Sequence, residues 1–292
     1  MAAAAPDPAI STFTSTAHPS KSGRKIGELI FYVPFDDLSA WRSEGNLTAT
    51  ARDGCLFIEC GSANEDRGNV WSVREFECPM YFEFRFRKLS GKSGLNLIFW
   101  NARTIDGSEF FSVPRGWIMT DVTDGNMESY HISYCRGDTG ITNFHKNPNF
   151  HDLVQDVPDP LADPGTGWHT IGVYQNGSHI MFFENGRLVH DVDEDLDFPN
   201  HICLLEEAHK DWDETNAWGT RCPGLDAQKV YTETGTARDL RGEGSPYTFV
   251  KPNPGRADTY TSGRIGFRHQ NGVTFYDDLR VWSLVSPSDE GV

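Results

Sequence analysis

Positive charge is scarce in this chain: Lys and Arg total 26 against 42 Asp and Glu, a formal net charge of −16 over 292 residues. Proteins that bind nucleic acid neutralise phosphates with a basic face, so this balance argues against that class. It also argues against anionic membranes, and no apolar run approaches the length of a membrane span. An acidic protein can still bind an anionic ligand where one pocket is locally positive, because close charge pairs outweigh the screened field of the rest.

Cysteine is also sparse, with six in the chain, and none has the Cys-x-x-Cys spacing of a zinc site. Cys203 and Cys222 lie in loop-like sequence, where a disulfide is the alternative to two free thiols. A secretion signal is missing as well, because the first residues have neither a basic start nor an apolar middle. The sequence as given therefore predicts a cytoplasmic protein, or a secreted one from which a signal was removed.

Helical periodicity is scarce too, whereas strand patterns recur from residue 26 onwards. In residues 80–88, Met80 and three phenylalanines alternate with Tyr81, Glu83, Arg85 and Arg87. Such a strand is half-buried and belongs to an antiparallel sheet. In residues 95–100 we expect the side chains of Leu95, Leu97 and Phe99 to point into the core, and those of Asn96, Ile98 and Trp100 to point outward.

The domain organisation follows from where these patterns stop. Residues 1–25 are rich in Ala, Ser, Thr and Pro without periodicity, which predicts a disordered or loosely docked tail. Residues 26–286 are predicted to form a single domain. Within it, residues 193–261 form a long loop excursion before the last two strands, with a possible short helix over 201–212. Asn185-Gly186 and Asn271-Gly272 predict tight turns between strands.

Three segments together resemble the concanavalin-A-like lectin and glucanase superfamily: residues 167–174, 180–189, and 263–268 with 276–282. Within that superfamily, residues 133–138 and 146–150 are similar to the YesU-type family of unknown function, which is associated with bacterial breakdown of pectic rhamnogalacturonan. The resemblance implies an all-β fold, a two-sheet antiparallel jelly roll, with a polysaccharide as ligand. His145 departs from the pattern, since a cation such as Arg is expected there.

In such a jelly roll, the outward face of the concave sheet carries the sugar. Strand alternation and the polar sequence after residue 129 predict which side chains meet there. The catalytic candidates are His131, Tyr134, Arg136 and Lys146. The substrate-binding candidates are Glu83, Arg85, Asn96, Trp100, Trp117, Ser133, His145, Asn147, Arg268 and Gln270. These residues would form a locally cationic surface with exposed aromatic rings, which suits an acidic oligosaccharide or polysaccharide.

The chemistry follows from what this surface contains. The Glu-x-Asp-x-x-Glu triplet of sandwich glucanases is absent. Elimination at a uronate needs a cation or amide to neutralise the carboxylate and a base to remove the C5 proton. We therefore expect a polysaccharide lyase, in which His131 is the base, Tyr134 is the acid or an alternative base, and Arg136 and Lys146 are cations.

Two other functions remain open. One is a glycoside hydrolase that uses Glu83 and a carboxylate from the long excursion, namely Glu206, Glu207, Asp211 or Asp213. The other is a non-catalytic, lectin-like module. No cofactor is expected to be required, although a structural calcium ion at Asp36 and Asp277 is conceivable if the first and last strands pair.

Overall fold

The computed structural model describes residues 25–61, 67–90, 95–112, 115, 122, 127–137, 139–147, 151–194 and 259–285. Several predictions fall outside these residues. They are the tail before residue 25, nearly all of the long excursion with its possible helix and its carboxylates, Trp117, and the pair Cys203 and Cys222.

The described chain is built from antiparallel strands. In chain order they are β1 Lys25–Val33, β2 Trp41–Gly45, β3 Thr48–Arg52, β4 Cys55–Cys60, β5 Arg67–Glu77, β6 Met80–Ser90, β7 Leu95–Thr104, β8 Met127–Tyr134, β9 Ile141–Asn147, β10 His151–Pro158, β11 His169–Asn176, β12 His179–Glu184, β13 Arg187–Asp193, β14 Ser262–Gln270 and β15 Gly272–Val285. A 3-10 turn, Phe110–Ser112, follows β7. Among the described residues, no helix has the length and apolar character needed to cross a membrane.

Two sheets pack face to face, as the jelly-roll prediction requires. Sheet A has the order β13-β12-β11-β6-β15-β4-β3, and β1 pairs with the second half of β15. Sheet B has the order β10-β9-β8-β7-β14-β5-β2. The all-β jelly-roll fold is therefore confirmed.

Turn chemistry explains how the chain changes direction. Asn185 and Gly186 both have positive φ, at 49° and 75°, and they close the hairpin of β12 and β13. The turn at Asn271 behaves differently, because one residue separates β14 from β15 and the two strands do not pair. β14 lies in sheet B and β15 in sheet A, so this turn links the two sheets rather than closing a hairpin.

The main hydrophobic core fills the space between the sheets. Phe82, Phe84 and Phe86 of β6 supply it from sheet A, as predicted, and each is fully buried. At roughly 1.5–3 kcal/mol for each large side chain, this burial is a main source of stability.

On β7 the predicted orientation is wrong. Ile98 and Trp100 point into the main core, and the Trp100 indole donates to Gln175 Oε1 at 2.7 Å. Asn96 also points inward, with its Oδ1 2.7 Å from Nδ1 of His269. Trp100 and Asn96 therefore do not lie on an outer binding surface.

Candidate functional site

The outer face of sheet B carries a row of aromatic rings that crosses five strands. Trp71 of β5, Phe99 of β7, His131 of β8 and His145 of β9 stand side by side in register. Neighbouring ring centroids are 5.4 Å apart for Trp71 and Phe99, 5.0 Å for Phe99 and His131, and 4.7 Å for the two histidines. We call these four residues the ring row.

The ring row depends on a glycine at its middle strand. Gly266 of β14 pairs with both Trp71 and Phe99, and the Trp71 ring lies over it. A Cβ atom on Gly266 would lie 2.1 Å from Cε3 of Trp71, a separation that real structures do not show. The missing side chain is therefore what allows Trp71 to reach Phe99.

A second row, the polar row, runs beside the first. Arg268 of β14 lies between Asn69 of β5 and Leu97 of β7, and Leu97 in turn pairs with Ser133 of β8. The Arg268 Nη1 group donates to Asn69 Oδ1 at 3.3 Å. Ser133 Oγ accepts a bond of 2.9 Å from the backbone of Asn143. Arg268 is fully buried although it points away from the main core.

The imidazole of His131 is held by Asn147 on the neighbouring strand. Asn147 Nδ2 lies 2.9 Å from His131 Nδ1 and 2.9 Å from Ser129 Oγ. Because an amide nitrogen only donates, His131 Nδ1 accepts, and the neutral ring carries its proton on Nε2. Burial holds the pKa of His131 well below its ordinary value, and the nearby His145 and Arg268 act in the same direction. His131 is therefore neutral at physiological pH.

One edge of this face is closed by a carboxylate that is already bound. Glu44 of β2 accepts from the Trp71 indole at 2.8 Å and from Nε and Nη2 of Arg115 at 2.8 and 2.9 Å. The Arg115 guanidinium also lies 3.8 Å from the ring centroid of Phe110. Together these contacts fix the outer end of the ring row.

Several buried polar atoms on this face have no hydrogen-bond partner within the described part of the chain. They are Asn69 Nδ2, Asn147 Oδ1 and Gln270 Oε1. Leaving such a group unpaired costs about 1–3 kcal/mol. Buried polar groups nearly always have a partner, which can be an ordered water, an ion or another bound group.

Six of the predicted site residues come together on the outer face of sheet B. They are His131, Ser133, His145, Asn147, Arg268 and Gln270. Sequence reasoning missed Glu44, Asn69, Trp71 and Gly266. The alternation of Asn69, Val70 and Trp71 is a strand signal that could have revealed two of them.

Two predicted catalytic residues lie on the opposite face of sheet B, in the main core. The Tyr134 hydroxyl is 3.4 Å from that of Tyr276, and burial raises its pKa well above the ordinary value. Lys146 forms a buried ion pair with Glu194 and lies over the Tyr260 ring, 4.5 Å from its centroid. Strand alternation explains both corrections, because neighbours of an outward residue point inward.

Arg136 follows β8 and is buried in the turn beyond it. Its backbone nitrogen donates to Asp159 Oδ2 at 2.9 Å, which attaches this turn to the segment after β10. Arg136 thus lies at the end of β8 rather than in either row.

Glu83 and Arg85 lie on the outer face of sheet A, so they do not face His131. Glu83 accepts from the Tyr81 hydroxyl at 2.8 Å, and burial raises its pKa. Arg85 binds Asp277 at 2.5 Å and Asp278 at 3.1 Å. A hydrolase built on Glu83 would therefore work on the other side of the molecule.

The described residues contain no group of three or more His, Cys, Asp or Glu side chains that could hold a metal ion. The first and last strands do pair, as the calcium expectation requires. Asp277 is bound to Arg85, however, and calcium at Asp36 and Asp277 stays a prediction.

The two-sheet sandwich, with a buried polar surface on the outer side of sheet B, defines a jelly-roll protein. The family described as "Domain of unknown function (DUF1961)" matches residues 31–200, more than half of the chain, and the chain belongs to this family. No curated protein matches its sequence. The resemblance to the YesU-type family stays a prediction.

Several solved structures resemble this chain. A protein of unknown function with galectin-like fold from Bacillus subtilis has a TM-score of 0.62 at 18% identity, covering 90% of this chain and 99% of its own. A β-glucanase from Bacillus licheniformis has a TM-score of 0.47 at 14% identity, covering 87% and 97%. β-Agarase B from Zobellia galactanivorans has a TM-score of 0.48 at 12% identity, covering 88% and 91%. The likeness to the galectin-like protein, at 18% identity, concerns the fold alone.

Proposed function

We propose that this chain is a carbohydrate-active protein that binds an acidic polysaccharide on the outer face of sheet B. We further propose that it acts as a polysaccharide lyase, cleaving at a uronate by β-elimination. The observation that carries the proposal is the buried pair of Arg268 and neutral His131 on one face, beside single amide atoms that have no hydrogen-bond partner among the described residues.

Charge supports an acidic ligand. Arg268 brings a fixed positive charge to a protein whose net charge is −16, and it does so in a buried place where charge interactions are strong. A carboxylate placed next to the guanidinium would accept charge-assisted hydrogen bonds. Asn69 Nδ2, without a partner among the described residues, is a further donor beside it.

The contacts of Glu44 favour elimination over hydrolysis. A glycosidase needs two carboxyl groups on either side of the scissile bond. Glu44 packs against the ring row, and Arg115 and Trp71 engage both of its oxygens. Elimination requires no carboxylate from the protein, because it needs only a neutralising group and a base.

The roles differ from those expected from the sequence, because Tyr134 and Lys146 point into the core and because Nδ1 of His131, the expected base, is already bound by Asn147. Arg268 and the Nε2–H of His131 would neutralise the uronate carboxylate and so acidify the C5 proton. His145, stacked on His131, would accept that proton. The C5–H electrons would form the C4–C5 double bond, the C4–O bond would break, and the leaving oxygen would take a proton from solvent.

The test is to incubate the protein with rhamnogalacturonan, glucuronan and alginate and to follow the absorbance of an unsaturated product. Arg268→Met is expected to lower the rate by about 100-fold or more, the usual loss for a buried electrostatic contact in a site. Arg85→Met is the matched control, since Arg85 lies on the outer face of sheet A, and it should keep the wild-type rate.

Three results would contradict the lyase proposal. One is hydrolysis of a neutral glycan with no response to uronates. Another is an equal loss of rate in Arg268→Met and Arg85→Met. The third is binding of uronates without any turnover, which would identify a lectin-like module on the same surface.

A further inference from the structure

Asn147 occupies a special position on β9. Its side chain points to the outer face with His145, whereas Lys146 between them points into the core. Its amide nitrogen contacts both Ser129 Oγ and His131 Nδ1, each at 2.9 Å. Asn147 is fully buried, so water does not compete for these contacts.

We propose that Asn147 is a positioning residue that holds neutral His131 in the Nε2–H tautomer, so that His131 meets its ligand as a hydrogen-bond donor and not as a base. An amide nitrogen offers hydrogens and no lone pair, and the ring nitrogen that faces it must therefore be the unprotonated one. In a neutral imidazole, the proton then resides on the other nitrogen.

The support behind Asn147 is rigid. Its backbone oxygen accepts from the Tyr260 hydroxyl at 2.7 Å, and the backbone nitrogen of Tyr260 donates to the Tyr130 hydroxyl at 3.1 Å. Tyr130 in turn donates to Glu194 at 2.5 Å, and Glu194 is paired with Lys146. The strand that carries the amide is thus held by a buried network on its inner side, and the amide cannot easily move away from His131.

The surroundings of His131 are consistent with a donor. Phe99 and His145 cover the two faces of its ring, with centroids at 5.0 and 4.7 Å. The positive charge of Arg268 disfavours a protonated ring. The neutral imidazole of His131 and the guanidinium of Arg268 can therefore both donate hydrogen bonds to one anion. This inference rests on the proposed function in one respect only, namely that the ligand is acidic.

Nitrogen NMR of the histidine side chains of the intact protein at neutral pH tests the tautomer without any ligand. The directly bonded proton of His131 is expected on Nε2, and a proton on Nδ1 would overturn the proposal. Assignment is made by comparison with His131→Gln, whose spectrum lacks the signal.

Two variants test the part played by Asn147. In Asn147→Asp the carboxylate accepts from the ring, so the proton is expected to move to Nδ1. Asn147→Ala removes the donor without adding charge, and the preference for Nε2–H is expected to fall. Ser129→Ala is the matched control, because it removes the other partner of the same amide and should leave the Nε2 proton in place. If the proton stays on Nε2 in both Asn147 variants, Asn147 does not set the tautomer.

Binding completes the test, with glucuronan oligosaccharides as the probe in calorimetry. His131→Phe keeps an aromatic ring without a donor and is expected to weaken binding by about 10- to 100-fold, the usual cost of losing a hydrogen bond to a charged group. His131→Gln restores an amide N–H near the Nε2 position and should recover most of the affinity. Equal losses in the two variants would overturn the donor role. Failure of the wild-type protein to bind would instead contradict the proposed function, while the NMR result would still decide the tautomer.

Discussion

Replacing Gly266 by alanine tests the packing on which the ring row depends. The new Cβ would lie 2.1 and 2.2 Å from Cε3 and Cζ3 of Trp71, so the indole must move. Trp71 has little freedom, because its nitrogen is bound to Glu44 and its ring packs on Phe99 and Phe110. Overpacking of this kind costs about 1–3 kcal/mol, a large part of a total stability of about 5–15 kcal/mol.

The assay is equilibrium unfolding in urea, monitored by tryptophan fluorescence and circular dichroism. Gly167→Ala is the matched control, because its Cβ would meet nothing closer than His169 Nε2 at 3.9 Å and should cost little. The same change in a Trp71→Ala background should also be nearly neutral, since the clash is gone. The difference between the two backgrounds gives the coupling energy of the pair. If Gly266→Ala costs no more than Gly167→Ala, or costs the same with and without Trp71, the reasoning is refuted.

Two further predictions concern buried side chains that can ionise. Burial and the neighbouring Asp159 raise the pKa of Glu184 to about 9 from 4.5, so the folded protein holds a proton that the unfolded chain releases. The free energy of unfolding should therefore fall as pH rises from 4.5 to about 9, by up to about 1.4 kcal/mol per pH unit. Glu184→Gln should remove this slope when unfolding in urea is measured across the same pH range. A slope that is unchanged in the variant would contradict the prediction. Lys146→Met leaves the Glu194 charge unpaired and should cost about 3–5 kcal/mol, most of which a second change, Glu194→Leu, should restore. A single variant as stable as the wild type would show that the pair is not buried in solution.

Alternation along a strand predicted which side chains share a face, and this part of the interpretation was correct for β6 and, on β8, for His131 and Ser133 but not for Tyr134. It could not predict which sheet a strand joins. Arg85 and His131 both point outward, but β6 lies in sheet A and β8 in sheet B, so the two side chains point away from each other. Which sheet a strand joins depends on pairing between strands that are far apart in the chain. The residue pattern of one sequence does not reveal that pairing.

The error on β7 has a different physical cause. Both faces of this strand are buried, since Leu97 and Phe99 pack with Trp71 and Phe110 in a second cluster on the outer face. When both faces of a strand are apolar, period-two alternation no longer identifies the one that faces the core. The same ambiguity hid the ring row, because Phe99 was expected in the main core.

Lys146 was expected on the same surface as His145 and Asn147, although adjacent residues of a strand point to opposite faces. Residues 141–147 form β9, and His145 and Asn147 alternate with Phe144 and Lys146. A lysine is rarely found in a hydrophobic core, because a buried charge needs a partner of opposite charge. That partner, Glu194, is 48 residues away in the chain.

The central claim is that the outer face of sheet B binds an acidic saccharide at Arg268 and His131. A crystal structure of the protein with a glucuronan oligosaccharide tests it most directly. The account predicts the uronate carboxylate within hydrogen-bond distance of the Arg268 guanidinium and of His131 Nε2. A saccharide bound instead on the outer face of sheet A, beside Glu83 and Arg85, would contradict it.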